Sequence, residues 1–216
     1  MTFTPGRHLQ RVLVAAVAVS VLLSGCPQSA GAARRASDPA LITERDLPPG
    51  YHQVGSDAGN TVSSLASGHG LRGCPAASSR PAAHTTAAVF AKGPAGPYVA
   101  TMVMRYAPGG AEAAIDAFDQ VRKCHALTFP YQGLDIRFTV GTLPMRPMRD
   151  RTVSIQFRGR IDTVITLSVA GDVVAVRRGD LVLVTSEFAV GSQIDDSATR
   201  LAPVMVARCA RLIRDC

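Results

Sequence analysis

The fold is constrained above all by a succession of short β-prone runs, rich in Val, Ile, Thr and Phe, with few residues between them. Parallel neighbours in a sheet need a crossover of a dozen or more residues, whereas antiparallel neighbours need only a turn. The close spacing therefore predicts an antiparallel sheet. The predicted strands are 85–92, 98–106, 134–140, 152–157, 162–169, 173–176 and 181–186.

The first helix is predicted over 111–127, where Ala114, Phe118 and Val121 recur at helical spacing. Ile115 and Cys124 flank the same apolar face. The pattern is typical of an amphipathic helix, and it turns Cys124 toward the core.

A second helix is predicted after Asp195-Asp196-Ser197, and its apolar face consists of Leu201, Val204, Met205 and Leu212. Three arginines late in this helix, Arg208, Arg211 and Arg214, suit the helix dipole. Pro203 either kinks the helix or delays its start. The predicted fold class is thus α+β, an antiparallel β-sheet with flanking helices.

The first 25 residues have the pattern of a secretion signal: Arg7 and Arg11, an apolar run over 12–23, and then Ser24-Gly25-Cys26. The run falls short of the about 20 apolar residues that a membrane-spanning helix needs. Leu23-Ser24-Gly25-Cys26 is similar to the lipobox of bacterial lipoproteins, which predicts lipidation (a diacylglycerol and palmitate) at Cys26. We expect a signal peptide at 1–25, a flexible tether at 26–37, and a single domain at 38–216, anchored on the outer face of the cytoplasmic membrane.

At the start of that domain, Asp38-Pro39 and then Thr43 with Asp46 give helix-capping signals before Leu47-Pro48-Pro49-Gly50-Tyr51. Short helical turns are expected there. From 57 to 83 the chain is rich in Gly, Ser and Ala. We expect a loop there, with a short helix leading to Cys74.

The net charge of the chain bears on which binding partners it suits. Removal of residues 1–25 takes away Arg7 and Arg11, so the net charge falls from +7 to +5. A modest positive charge suits anionic lipid or cell-wall polymers without identifying either. Nucleic acid is not expected outside the cell, and no protein partner can be named.

Apart from Cys26, the chain has four cysteines, Cys74, Cys124, Cys209 and Cys216. An even number in an exported chain predicts two disulfides, for which three pairings are open. A metal site fits poorly because the chain has no Cys-x-x-Cys pair with a histidine at ligand spacing beside it. No metal or other cofactor is expected.

The sequence contains no Gly-x-Ser-x-Gly, His-Glu-x-x-His or paired-carboxylate motif, so no catalytic residues are predicted. The histidines of the mature chain, His52, His69, His84 and His125, are expected at the surface. Arg178-Gly179-Asp180 is better explained by a tight hairpin than by cell adhesion. The loop 143–151 carries three arginines and two methionines and is expected to be a solvated connection, with a partner or headgroup contact as the alternative.

Residues 41–51, a Gly-Cys before the first strand, a helix with Cys124 at its end, the Arg178-Gly179 turn and an Arg-bearing terminal helix resemble the actinobacterial sensor-domain-containing lipoproteins. These are similar to the extracellular sensor domain of PknH-type Ser/Thr kinases. The resemblance covers roughly 38–214. It implies a helix-flanked antiparallel sheet with a cleft for a small ligand, and it favours disulfides between Cys74 and Cys124 and between Cys209 and Cys216.

The second pairing carries a geometric condition. Seven helical residues rise about 10 Å, beyond the Cα separation that a disulfide allows. The terminal helix must therefore end before Cys216, and the chain must turn back.

Three functional hypotheses follow. The first is a non-enzymatic, membrane-tethered sensor or ligand-binding module, whose ligand-binding residues the sequence does not identify. The alternative is a carrier of lipids or cell-wall intermediates, which would need a large apolar cavity. The third is a hydrolase whose triad is assembled from distant residues.

Overall fold

The computed structural model describes residues 38–54, 72–73, 81–93, 96–131, 134–146, 148, 150–162, 166–191, 194–213 and 216. The strands are β1 (His52–Val54), β2 (His84–Ala91), β3 (Tyr98–Arg105), β4 (Ala126–Tyr131), β5 (Leu134–Thr142), β6 (Thr152–Asp162), β7 (Thr166–Arg178) and β8 (Leu181–Val190). The helices are α1 (Gly110–Lys123) and α2 (Ser197–Leu212), and a 3-10 turn covers Glu44–Asp46.

The eight strands form one sheet in the order β1-β2-β3-β8-β7-β6-β5-β4, and every neighbouring pair is antiparallel. In the described chain, α1 packs on one face, mainly on β5, β6 and β7, and α2 packs on the other face, on β7 and β8. The predicted α+β class with an antiparallel sheet is confirmed, although the sheet dominates. Neither described helix has the length and hydropathy that a membrane crossing requires.

The α1 side is an apolar core. Ala114, Ile115, Phe118 and Val121 of α1 are each at most 4% exposed, as their spacing predicted. The helix ends at Lys123, however, whereas the periodicity predicted it to run on to residue 127. Cys124 is already extended, and residues 126–131 form the unpredicted strand β4. Leu127 is buried in the α1-side cluster from this strand, so its apolar side chain is compatible with a strand as well as with the predicted helix.

The α2 side has a second core, in which Leu201 and Met205 are 3% and 0% exposed. Leu212 was predicted on this face but is 58% exposed, and it is the last residue of the helix. The helix begins at Ser197, so Pro203 lies inside it and does not delay its start.

The chain turns back directly after α2. Its last helical residue is Leu212, and Ile213 is extended. This turn brings the Cα atoms of Cys209 and Cys216 to 5.6 Å, and the structure joins these two residues by a disulfide. The geometric condition that the helix ends before Cys216 is met.

Two strands are longer than the sequence indicated. Residues 152–162 form one strand and 166–178 the next, whereas the predicted strand over 162–169 spans the connection between them. Gly159 and Gly171 lie inside these strands, where the lack of a side chain allows close approach. A Cβ on Gly159 would lie 2.4 Å from the Arg137 carbonyl oxygen, and one on Gly171 would lie 3.2 Å from the Phe188 ring.

The segment before β1 packs on the α2 side, where Ala40, Leu41 and Ile42 are buried. The capping signal near position 43 is realised, since the Asp46 carboxylate accepts hydrogen bonds from the Thr43 N–H and hydroxyl, both at 2.8 Å. Arg208 of α2 donates to the Leu41 carbonyl oxygen at 2.9 Å and to Asp46 at 2.5 Å. This segment is therefore part of the domain.

Several predictions concern residues outside the described chain: the signal peptide, the tether, Cys26, His69, Cys74 and the short helix expected before it. Cys124 is 9% exposed and disulfide-bonded, and its partner is not among the described residues. The pairing of Cys124 with Cys74 stays a prediction.

Candidate functional site

The start of α2 is capped by a carboxylate that comes from the sheet. Glu187 lies in β8 and is 1% exposed. Its Oε1 accepts a hydrogen bond from the Asp195 N–H at 3.0 Å, and its Oε2 accepts one from the Ser197 N–H at 2.8 Å. The first N–H groups of a helix lack partners within the helix and need acceptors. Glu187 supplies them in place of a residue of the helix itself.

The residue between these two donors has an unusual backbone. Asp196 has φ 58°, and among the described residues it is the one non-glycine residue with positive φ. This conformation costs about 1 kcal/mol or more for a residue with a side chain. It brings the N–H groups of Asp195 and Ser197 to the same carboxylate, so the capping by Glu187 holds a strained turn in place.

Asp195 links the helix start to the segment before β1. Its Oδ1 accepts hydrogen bonds from the Ser197 hydroxyl at 3.0 Å and from the Tyr51 hydroxyl at 3.4 Å. Arg200 donates to the Ser197 hydroxyl oxygen at 3.1 Å. Tyr51 and Ser197 are 3% and 0% exposed, whereas Asp195 and Arg200 are exposed, so the network joins the buried helix start to the surface.

Asp172 of β7 lies directly opposite Glu187 in the sheet register and is also 1% exposed. Its Oδ1 accepts a hydrogen bond from Arg158 of β6 at 2.8 Å, but its buried Oδ2 has no hydrogen-bond partner. A buried acceptor without a partner costs about 1–3 kcal/mol. The Arg158 side chain is 39% exposed and connects this carboxylate to the surface.

We call this set of side chains the α2 junction: Tyr51, Arg158, Asp172, Glu187, Asp195 and Ser197. Its acidic groups do not titrate as free carboxyls do. Burial raises the pKa of Glu187 to about 8, repulsion from Asp195 acts in the same direction, and the backbone N–H donors oppose both. The hydrogen bond with Glu187 lowers the pKa of Asp195. Both shifts favour a proton on Glu187 beside an ionised Asp195 near neutral pH.

The other two titrating groups of the junction respond to the same burial. Burial and the negative charges of Asp195 and Glu187 raise the pKa of Tyr51, which keeps its hydroxyl a hydrogen-bond donor. Burial also raises the pKa of Asp172, although the contact with Arg158 lowers it. The α2 junction can thus exchange a proton and accept hydrogen bonds at the point where the helix begins.

Sequence reasoning identified only part of this site. It placed 195–197 at a helix start, but it did not single out Tyr51, Arg158, Asp172 or Glu187. A signal was available, because Asp172 and Glu187 are acidic residues within strands that are otherwise mostly apolar. Their pairing depends on the register of β7 and β8, which local patterns do not give.

The histidines lie outside the α2 junction as far as they are described. His52, His84 and His125 are exposed, as expected, and they take no part in the hydrogen bonds of the junction. In the residues that the structure describes, no group of three or more His, Cys, Asp or Glu side chains is placed to hold a metal ion.

The Arg-Gly-Asp tripeptide forms the β7–β8 hairpin, with φ 56° at Gly179. Arg178 donates to Asp150 at 3.3 Å and to the carbonyl oxygen of Cys216 at 2.5 Å. The arginine is thus engaged within the domain, in agreement with the hairpin interpretation.

The loop between β5 and β6 also contacts the domain itself. Met145 and Met148 pack against the α2-side core. Arg151 forms ion pairs with Glu112 and Asp116 of α1. These contacts make the loop a packed connection between the two sides of the sheet, more than the solvated connection that was predicted.

Comparison with known proteins does not identify a family for this chain. No family model matches the chain, and no curated protein matches it. Among solved structures, the extracellular domain of PknH from Mycobacterium tuberculosis is similar with a TM-score of 0.41 and 14% identity, over 59% of this chain and 64% of that domain. The match spans less than two thirds of the PknH domain, and a TM-score of this size does not establish a shared fold.

Proposed function

We propose that this chain is a lipid-anchored extracytoplasmic domain of the sensor type, which binds a polar ligand at the α2 junction and has no enzymatic activity. The observation that carries this proposal is the Asp172 carboxylate, which is 1% exposed with Oδ2 unpartnered, opposite the residue that caps α2. Unsatisfied buried polar groups are rare in native proteins and call for an explanation. A ligand that completes the hydrogen bonding of Asp172 is such an explanation.

The free acceptor defines the chemistry of the ligand. Oδ2 of Asp172 accepts hydrogen bonds, so the matching ligand group is a donor, such as an amine, a guanidine or a hydroxyl. Arg158 connects the site to the surface, because its side chain donates to the other oxygen of Asp172 and is itself 39% exposed. We expect the ligand to displace part of the Arg158 contact.

Binding at Asp172 would be passed to the helix through Glu187. A positive charge beside Asp172 lowers the pKa of the adjacent Glu187 and favours release of its proton. The two protonation states of Glu187 differ in how strongly its oxygens accept from the backbone N–H groups of α2 and in the cost of a buried charge. Ligand binding would thereby change the stability of the first turn of α2. A sensor needs such a change in structure or stability as its output.

The polar side chains of the α2 junction favour a sensor over the alternative of a lipid carrier. The groups that converge at the α2 junction are carboxylates, hydroxyls and a guanidinium, whereas a carrier needs a large apolar cavity. The absence of enzymatic activity fits the use of Ser197: its hydroxyl donates to Asp195 and accepts from Arg200, so it is engaged in the helix start.

The anchor is proposed from the sequence. Cys26 follows a secretion signal, and residues 27–37 would tether the domain. We expect Cys26→Ala to be released in soluble form or retained as an uncleaved precursor, because two or three acyl chains would be the durable anchor. A variant that still matures and stays with membranes after a high-salt wash contradicts the anchor.

The ligand is tested by native mass spectrometry of the protein purified from its own host. We expect a mass adduct on the wild-type protein that is absent from Asp172→Asn, in which an amide replaces one carboxylate oxygen. Glu112→Gln removes an exposed acid of α1, which is 43% exposed, and is the matched control that keeps the adduct. An adduct on all three proteins, or on none, argues against ligand binding at Asp172.

A further inference from the structure

A row of arginines crosses the sheet outside the α2 junction. Arg137 of β5 is directly opposite Arg160 of β6 in the register. Thr128 of β4 is opposite Arg137 on its other side, and Arg72 forms a bridge with Thr128. Residues that are directly opposite in an antiparallel sheet share a face. We call Arg72, Thr128, Arg137 and Arg160 the arginine row.

The row lies on the α2 side of the sheet, on strands that α2 does not cover. The neighbouring residues Phe138 and Ile161 are buried in the α1-side core, so Arg137 and Arg160 point away from that core. The helix α2 packs on β7 and β8, and both arginines, on β5 and β6, are exposed.

These arginines differ from the other exposed cations of the domain. Arg151 and Arg177 pair with acidic residues of α1, whereas neither Arg137 nor Arg160 forms an ion pair with any described residue. Like charges that are directly opposite on neighbouring strands repel each other.

The anchored end of the chain approaches from the same side. The described chain begins at Asp38, and Ala40, Leu41 and Ile42 are buried in the α2-side core. Residues 27–37 can span at most about 40 Å. A membrane held at Cys26 therefore lies within reach of the face that carries the row.

We propose that the arginine row docks the domain on an anionic phospholipid surface. Guanidinium groups bind phosphates through paired hydrogen bonds, and headgroup phosphates would supply the counter-ions that Arg137 and Arg160 lack. The docking surface is separate from the ligand site at Asp172, and its choice of a membrane as occupant rests on the proposed anchor at Cys26. It fixes which side of the sheet meets the membrane.

The test uses the chain from residue 26 with Cys26→Ser, so that no lipid anchors it. This chain keeps every element of the described fold. It is sedimented with vesicles of equal parts phosphatidylglycerol and phosphatidylcholine, and with vesicles of phosphatidylcholine alone. We expect binding to the first vesicles only. The double variant Arg137→Gln/Arg160→Gln should lower the partition coefficient about 30-fold, since each arginine near an anionic surface contributes about 5-fold.

The control variant Arg45→Gln/Arg211→Gln removes the same charge from two exposed residues outside the row. We expect it to lower partitioning only a few-fold, through the long-range field that salt screens. The docking proposal is overturned if the two double variants weaken binding equally, or if the wild-type chain binds both kinds of vesicle alike. Circular dichroism of each variant verifies that the fold is intact.

Discussion

The two sides of the sheet bury different kinds of side chain. On the α1 side, Phe118 and Ile115 pack on an apolar sheet surface, and the acidic residues of α1 pair with arginines at the exposed rim. On the α2 side, the helix start rests on the carboxylate of Glu187. Every buried polar side chain of the described residues except Ser186 lies on or faces the α2 side: Thr101, Ser154, Asp172, Thr185, Glu187 and Ser197.

This difference assigns stability to the α1 side, and the response to pH and ligand to the α2 side. Apolar burial stabilises without directional requirements. The stability contributed by the α1 side therefore does not depend on protonation or on a specific hydrogen-bond partner. Buried carboxyls depend on partners and on protons, so the α2 side changes its energy when either changes. We therefore expect variants of the α1 side to alter stability alone, and variants of the α2 junction to alter pH response and ligand binding.

The largest effect is expected from the disulfide that holds the end of α1. With the predicted partner Cys74, Cys124 closes a loop for which chain entropy predicts a stabilisation of about 4 kcal/mol. The Cys209–Cys216 disulfide on the α2 side closes only seven residues and predicts about 2 kcal/mol. Urea unfolding of Cys124→Ser and Cys209→Ser should show this order.

Peptide mapping without reduction checks the premise of that prediction. A peptide that joins Cys124 to Cys74 supports it. Cys124 joined to any other cysteine would mean that the loop closed on the α1 side is a different one, and the expected order of the two variants would no longer follow.

Local patterns predicted the elements in which sequence neighbours decide the structure. The hairpin at Gly179 and the apolar face of α1 follow from turn chemistry and from periodicity, and both are found. The strand β4 and the length of β7 were missed. Gly171 lies within β7, and a Cβ there would lie 3.2 Å from the Phe188 ring on the neighbouring strand, a contact that local patterns do not reveal.

The α2 junction could not be predicted for a related reason. Glu187 and Asp195, which are joined by a hydrogen bond, are eight positions apart in the chain, and Tyr51 and Asp195 are 144 apart. Their contacts depend on the order of the strands and on the position at which α2 packs on β8. Local sequence patterns predict neither. The sequence predicted a helix after Asp195-Asp196-Ser197, but the acceptor for the N–H groups at its start comes from the sheet.

The next effect in size is the loss of the Glu187 cap. Glu187→Ala leaves the N–H groups of Asp195 and Ser197 without an acceptor, and we expect the free energy of unfolding to fall by about 3 kcal/mol. Hydrogen exchange by NMR localises the effect, since these two amides should lose protection while those of α1 keep theirs. A uniform loss of protection over both helices would contradict the separation of the two sides.

The smallest effect is expected at the rim of the α1 side. Glu112 forms ion pairs with Arg151 and Arg177, and all three side chains are 37–43% exposed. Exposed pairs contribute little because water and salt screen them. We expect Glu112→Gln to change the free energy of unfolding by about 0.5 kcal/mol or less, measured by urea unfolding at moderate salt. A loss as large as that of Glu187→Ala would show that the α1 side also depends on charge.

We expect the Glu187–Asp195 pair to hold a proton at the start of α2 in the folded protein. The free energy of unfolding as a function of pH, for the wild-type protein and for Glu187→Gln, tests this expectation. The pKa of Glu187 is raised from 4.5 to about 8, so between these values the folded state binds more protons than the unfolded chain. Stability from this group is therefore full below pH 4.5 and is lost as the pH rises toward 8.

Asp172 has a raised pKa and adds a change of the same sign, whereas Asp195, with its pKa lowered from 3.8, loses its contribution only in more acidic solution. Comparison with Glu187→Gln isolates the contribution of Glu187. We predict that wild-type stability falls by on the order of 1 kcal/mol per pH unit more steeply than that of the variant across this window. Parallel curves for the two proteins would contradict the claim that Glu187 holds a proton in the folded state.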